Sequence, residues 1–318
     1  MAERPKVSVA MITYNHERLF GQAIESVLSQ ERNFDLEIVI GEDCSTDRTR
    51  EVVLQYHREH PEIIRPLLPD KNLGHERNMA NVLAACRGEY IALLEGDDYW
   101  TDTRKLQKQI GYLDTHPDCA ICFHQVLYKW EDGSQPSRVA PLNQKPVSTL
   151  RDIVAGNIIP TCSAVFRKTK YTEVPEWSRQ VGFSDWPIHV MNARAGNIAF
   201  LPECMAVYRQ HSGGVWSTQT WRSVNERWIK AYQFVNADFD YKFDRIITRA
   251  IFMRRYGYAI GCFERYDSET RSAVTEALLS PPLLGSWWEK TLLLTKLYLP
   301  WAIRMMGRAR RVLQGSGA

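Results

Sequence analysis

The amino-acid sequence predicts an α/β fold with a mainly parallel, doubly wound sheet, and three observations carry that expectation. Apolar, strand-like runs occur at 6–14, 36–40 and 88–95. The segments that follow them place apolar residues at helical spacing. At the same end of each run, amide and carboxylate side chains gather. Strands alternating with helices in this order build βα units, and such sheets bind ligands outside the carboxyl ends of their strands.

The first run, KVSVAMITY at 6–14, is followed by Asn15 and His16, then by a helical pattern of Leu19, Phe20, Ala23, Ile24, Val27 and Leu28. The second, LEIVI at 36–40, ends in Gly41, Glu42, Asp43, Cys44, Ser45, Thr46 and Asp47, and a helix carrying Val52, Val53 and Tyr56 runs from there to Pro61. A third unit sets Asn72, Leu73, Gly74, Arg77 and Asn78 ahead of a helix with Met79, Val82, Leu83 and Cys86. The fourth strand lies in GEYIALLEGDDYW at 88–100 and stops at Glu95, Asp97 and Asp98. Adjacent carboxylates are hard oxygen ligands, suited to Mn²⁺ or Mg²⁺ held together with a substrate's phosphates. A lone acidic pair is more often a solvated loop; the polar residues at the other strand ends argue for a site.

The set VSVAMITYNH, EIVIGEDCSTDRT, NLGHERNMANVLAACRGEYIALLEGDDYW and AVYRQHSGGVW, in order over roughly residues 5–217, resembles the family 2 glycosyltransferases. The resemblance implies a GT-A fold, a nucleotide-sugar donor and inversion of the anomeric centre. It implies that Thr13, Tyr14 and Asn15 line the nucleotide pocket, that Asp43 binds the base, and that Asp97 and Asp98 form the metal and diphosphate site. Two positions depart from the family pattern: Glu95 stands where many members have Asp, and Glu42-Asp43-Cys44-Ser45 where many have Asp-Asp-Gly-Ser. Glu95 is long enough to reach a ribose hydroxyl. The residue types also make chemical sense by themselves. A carboxylate such as Asp43 accepts a base's imide or amide hydrogen, and an aromatic face such as Tyr14 stacks on a base. The competing assignments are a turn or helix cap for Asp43 and an ordinary strand aromatic for Tyr14. Arg77 reaches the base or a phosphate, or else forms a surface ion pair.

Inverting transfer needs a carboxylate base for the acceptor hydroxyl. The resemblance puts it near the start of a later helix, where Asp185 in GFSDWPIHVMNARAG is the match. The alternative is a helix cap, because Pro187 follows as in a first helical turn. Trp186 is read as a wall of the acceptor or sugar pocket, with a core tryptophan as the alternative. In MAVYRQHSGGVWS at 205–217, two glycines after His211 permit a lid over a diphosphate. The resemblance brings His211 to the metal or diphosphate; Arg209 is the cation for a phosphate, or an ion-pair partner of the acidic cluster.

Composition bounds the remaining classes. A chain of 318 residues, 44% hydrophobic, holds one large α/β domain and a smaller appendage, and a net charge of +3 argues against a nucleic-acid partner. The expected division is a catalytic domain at 1–217, with its nucleotide-binding half at about 1–100 and acceptor half at about 101–217, and a helical C-terminal region at 218–318. Seven scattered cysteines point to a reducing cytoplasm. Cys119 and Cys122 fall on a strand, which turns them to opposite faces and argues against a zinc or redox motif. The first residues show no signal-peptide pattern. Residues 283–313 interleave Trp287, Trp288 and Trp301 with leucines and end in Arg304, Arg308, Arg310 and Arg311. They read as a helix lying at a membrane interface, or else packed on the protein. The Gln-x-x-Arg-Trp motif of processive synthases is missing.

The expectation is therefore an inverting, metal-dependent, non-processive glycosyltransferase of polysaccharide biosynthesis. It moves one sugar from a nucleotide-sugar donor, a UDP-sugar first among them, to a glycan or lipid-linked acceptor, in the cytoplasm and peripherally at the inner face of the cell membrane. Oligomeric state is open. A non-catalytic nucleotide- or glycan-binding protein of the same fold is the alternative. A nucleotidyltransferase would need a Gly-rich phosphate loop where residues 11–21 read MITYNHERLFG.

Overall fold

Strands flanked on both faces by helices are buried along their whole length, which is why they appear in the sequence as nearly continuous apolar runs. In the computed structural model, which describes residues 4–214 and 219–265, Val7–Thr13 (β1) and Leu36–Glu42 (β2) are buried at every position. Ile64–Leu67 (β3) and Tyr90–Glu95 (β4) complete a parallel group in the order β3-β2-β1-β4. Its helices are Phe20–Leu28 (α1), Thr49–Glu59 (α2) and His75–Ala85 (α3). Each turns an apolar stripe to the sheet, as with Phe20, Ala23, Ile24 and Val27 of α1. Because α3 begins at His75, Arg77 and Asn78 lie inside the helix rather than ahead of it.

The chain continues through Tyr99–Trp100 (β5), Lys105–Thr115 (α4), Cys119–Trp130 (β6), Arg138–Ala140 (β7) and Val147–Ser148 (β8). Leu150–Ala155 (α5), Val165–Arg167 (β9), Asp185–Asn192 (α6) and Asn197–Gln210 (β10) follow. The sheet extends from β4 through β9, β6 and β10 to β5. β9 runs antiparallel to both β4 and β6, while β6 and β10 are parallel. The sheet is thus mainly parallel, with an antiparallel strand joining its two halves.

The strand order reverses between β1 and β4. The chain moves outward through β2 and β3, then returns to the other side of β1, so the carboxyl ends of β1 and β4 form the switch point at which open α/β sheets bind ligands. The two ends stay close: the Gly96 amide donates to the Ile12 carbonyl at 2.9 Å, and a Cβ on Gly96 would lie 2.6 Å from Thr13 Oγ1. Only glycine allows that approach.

By its contacts the chain divides into units Met1–Gln219 and Thr220–Ala318. The described part of the second holds Trp221–Asp238 (α7), capped by the Thr220 side chain accepting from the Ser223 amide, and Asp244–Arg265 (α8). Arg254 lies over the Trp228 ring at 4.4 Å, and the Asn236 amide donates to Asp244 at 2.9 Å. No described helix is long and apolar enough to cross a membrane. The basic tryptophan-rich segment at 283–313 lies outside the described residues.

Candidate active site

The loop after β4 places three carboxylates within reach of one another. One oxygen each from Glu95, Asp97 and Asp98 lies within 4.8 Å of the others, and a second group, His16, Asp97 and His211, meets the same limit. Asp98 is 1% exposed; its Oδ1 accepts the Arg209 backbone N–H at 2.8 Å, while its Oδ2 is buried with no hydrogen-bond partner. Asp97 Oδ2 lies 3.1 Å from His211 Nε2 and 3.9 Å from His16 Nε2. An orphaned buried carboxylate oxygen beside a shared Asp97 oxygen is a donor set that fits a divalent cation.

Electrostatics separates these carboxyl groups. Burial, then the charges of Asp97, Asp98 and Asp185, pushes Glu95 well above the usual carboxylate range. Burial, then Asp97, does the same to Asp98. Burial also works against ionisation of Asp97, but the His211 hydrogen bond and the charges of the two imidazoles outweigh it and hold Asp97 below its ordinary value. The same hydrogen bond raises His211, whereas burial lowers His16.

Arg209 does not extend toward a diphosphate. It is 5% exposed, and its Nη1 donates to the Asp97 carbonyl at 2.8 Å, its Nη2 to Gln22, and its Nε lies 3.4 Å from Glu131. The guanidinium also covers the Tyr99 ring at 4.4 Å. Its Nη donors are engaged within the protein, and its Nε makes no hydrogen bond and pairs with Glu131 by charge alone, so Arg209 fixes the acidic loop to β10, close to the ion-pair alternative. The alternation of buried Val207 and Arg209 along β10 was the sequence signal for an inward side chain.

At the other side of the switch point, side chains tie loops together. The Thr13 carbonyl accepts the Asp43 amide at 3.0 Å. Asn15, with φ of 57°, turns its Oδ1 to the Thr46 N–H at 2.8 Å, and its own amide donates to Ser45 Oγ at 3.0 Å. Its carboxamide oxygen is thus spent on the 45–46 loop, where the pocket-lining expectation had it facing a nucleotide. Asp43 accepts from the amides of Leu73 at 2.7 Å and Gly74 at 2.9 Å. It fixes the turn before α3, while Asp47, one residue before the N-cap Arg48 of α2, accepts from the Thr49 amide at 2.9 Å. Tyr14 stands 41% exposed, and Arg77 is exposed with no ion pair to a described residue. These are the open groups among the nucleotide-side candidates.

Asp185 is the first residue of α6, one position inside the helix from its N-cap Ser184. The Ser184 hydroxyl makes no capping bond; it lies 3.0 Å from His75 Nε2. Asn157 Nδ2 donates to Asp185 Oδ2 at 3.1 Å. Burial pushes the Asp185 carboxyl above its ordinary value, against the lowering effect of the helix's first amides. Trp186, in contrast, is 0% exposed, and its indole N–H donates to the Ile153 carbonyl at 2.8 Å. It is a core residue and not a pocket wall, because α6 buries every residue after Asp185.

Three residues outside the expected set join the site. His16 faces Asp97 from the β1 loop. Burial, then the charges of Glu95, Asp98, Asp97 and Asp185, push the Tyr208 phenol well up, and Tyr208 precedes Arg209, whose amide donates to Asp98. Its ring lies 5.1 Å from that of Tyr128, whose phenol is pushed up to about 12 by burial first. Tyr208 sits inside the quoted AVYRQH motif, where an aromatic beside the histidine was the available signal.

The model of glycosyl transferase family 2 matches residues 8–172. An uncharacterized protein of Mycobacterium tuberculosis is 41% identical over 211 residues, covering 66% of this chain and 60% of that protein. The chain thus spans about 60% of the length of the first curated relatives it matches. Bacillus subtilis TuaG, named for teichuronic acid biosynthesis, is 28% identical over 233 residues, 71% of this chain and 87% of its own. Among solved structures, Staphylococcus aureus TarS with UDP-GlcNAc superimposes with a TM-score of 0.65 at 20% identity, covering 87% of this chain and 82% of that one. The mannosyltransferase PcManGT of Pyrobaculum calidifontis, with GDP-Man and Mn²⁺, gives 0.55 at 17%, covering 94% and 81%. These likenesses establish the GT-A fold.

Proposed function

The chain belongs to glycosyl transferase family 2, and from that premise we propose that it moves a single sugar from a nucleotide-sugar donor to a glycan or lipid-linked acceptor, with inversion and with a divalent cation. The observation that carries this reading is the acidic cluster at the end of β4, where one oxygen each of Glu95, Asp97 and Asp98 lies within 4.8 Å of the others and Asp97 meets His211 at 3.1 Å, with Asp185, held by Asn157, as a separate carboxylate. Asp97, Asp98 and His211 hold the cation, and Tyr14, Asp43, Arg77 and Glu95 shape the nucleoside side. When bound, the cation neutralises charge developing on the leaving diphosphate.

The remaining steps belong to protein side chains. The acceptor hydroxyl oxygen forms the new bond to the anomeric carbon as the bond to the diphosphate oxygen breaks, and Asp185 takes the hydroxyl proton. A carboxyl group raised by burial is a stronger base than an exposed aspartate and suits that task. Asn157 fixes its orientation from the side.

A UDP-sugar is the first donor to test, since TarS is described with UDP-GlcNAc, and GDP-Man is the second. The naming of TuaG supports an acceptor in surface polysaccharide assembly. A cytoplasmic enzyme held at the membrane by 283–313 accords with that setting. The test is thermal shift and product release across UDP- and GDP-sugars, with Mn²⁺ or excess chelator. Stabilisation and turnover only with metal are expected. Binding without turnover would leave the non-catalytic alternative, and full turnover in chelator would refute the metal's part.

A further inference from the structure

His16 follows a buried strand and carries no periodic signal, yet the fold holds its ring firmly. Its amide donates to Thr49 Oγ1 at 2.8 Å, and its carbonyl accepts from the amides of Leu19 and Phe20, both at 2.9 Å. The ring lies against Gly96, where an added Cβ would come within 3.1 Å of Nδ1. Nδ1 also faces Thr13 Oγ1 at 3.3 Å. A ligating imidazole almost always uses its second nitrogen in such an outer hydrogen bond, which sets the ring's orientation.

The other nitrogen points at Asp97. His16 Nε2 is 3.9 Å from Asp97 Oδ2, beyond hydrogen-bond range, while His211 Nε2 approaches the same oxygen at 3.1 Å. The two imidazoles meet nearly edge to face, with centroids 6.0 Å apart. Ligand atoms about 2.1 Å from a shared ion sit about 3.0 Å apart at right angles and about 3.4 Å apart in a tetrahedron. The His211 spacing already matches, and His16 needs to close by less than about 1 Å to join it.

We propose that His16 is a protein ligand of the donor-site cation, so that two imidazoles join Asp97 and Asp98 in holding it and select a transition ion such as Mn²⁺ over Mg²⁺. The inference rests on the proposed donor-metal site and deepens it. Imidazole nitrogen suits first-row transition ions, whereas Mg²⁺ takes oxygen ligands and keeps its waters. The remaining coordination positions are left for diphosphate oxygens.

Pulsed electron paramagnetic resonance of the full chain with Mn²⁺ and UDP counts directly bound imidazole nitrogens without any need for turnover. Two are expected in the wild type, and one each in His16→Ala and His211→Ala. Competition titration should also show the preference for Mn²⁺ over Mg²⁺ falling by on the order of tenfold or more in His16→Ala. A wild-type count of one overturns the role of His16 while leaving the donor-site metal in place. Absence of bound Mn²⁺ in the presence of UDP overturns both. The wild-type count decides the matter even if the alanine variant does not fold; His16→Gln then supplies the comparison.

Discussion

Replacing Asp185 by Asn separates chemistry from architecture. The amide is nearly isosteric, still accepts from Asn157 through its oxygen, and keeps the first residue of α6 polar. What it loses is the ability to take a proton. General-base catalysis contributes typically ~10²–10⁴-fold, or about 2.7–5.5 kcal/mol of barrier, so turnover should fall by that factor. Stability should move the other way or stay level. Burial raises the Asp185 carboxyl above its ordinary value of 3.8, so the folded state disfavours the charged form. Its contribution to stability is present at low pH and is lost as pH rises through the folded value, and at neutral pH Asn removes that cost. The assays are nucleoside diphosphate release at matched protein concentration, calorimetric donor affinity, and melting temperature. The wild-type kcat/KM should also fall with acidification below a value higher than 3.8, and this limb should vanish in the variant. A variant retaining turnover within about threefold, or one whose loss is matched by unfolding, would refute the base assignment.

The other predictions follow from residues around the site. Asp43→Ala leaves the Leu73 and Gly74 amides without their acceptor, so it should lower stability by about 2 kcal/mol as well as weaken nucleotide binding; unchanged melting would deny the loop-fixing role. Trp186→Phe loses the bond to Ile153 and opens a void, which should cost about 2–4 kcal/mol in urea unfolding with donor and acceptor KM unaltered. Glu37 is held below its ordinary 4.5: burial opposes ionisation, but hydrogen bonds from Ser8 and Arg87 outweigh it. The stability it contributes is present above the unfolded value and disappears as pH falls through the folded one, so Glu37→Gln should flatten the loss that sets in as pH falls below the ordinary 4.5. The full chain should co-sediment with anionic vesicles at low salt. Changing Arg304, Arg308, Arg310 and Arg311 to Gln should release it, at about 1 kcal/mol per charge, and unaltered sedimentation would remove the membrane role.

What could be read from the sequence follows from how each residue is buried. β1, β2 and β4 lie inside the sheet and announce themselves as apolar runs, and the acidic loop stands out because it ends one of them. β9 has only Val165–Arg167, and its partners β4 and β6 are set by long-range pairing that no local pattern encodes. Trp186 was ambiguous for a physical reason: α6 buries every residue after Asp185, the polar His189 and Asn192 included, so its polar stripe does not mark a solvent face against which to tell pocket from core. Asp43 and Asn15 have the right chemistry for a base, but only the fold shows that their oxygens serve the loops at 72–74 and 45–46. His16 became part of the site because His211, distant in sequence, meets the same Asp97 oxygen.

The four carboxyl groups sit in environments that diverge, and the divergence accords with the proposed roles. Crowding and burial raise Glu95, Asp98 and Asp185, but two imidazoles favour the charged form of Asp97. An ionised carboxylate beside imidazole nitrogens is where a cation is best held, while a raised carboxylate apart from them is suited to take up a proton. The diphosphate of a donor would enter this site against the ionised Asp97. At close range in a partly desolvated site, such repulsion amounts to several kcal/mol unless a cation intervenes. On the proposed reading, metal binding at Asp97 precedes or accompanies donor binding, because Arg209 is already paired with the Asp97 carbonyl, Gln22 and Glu131.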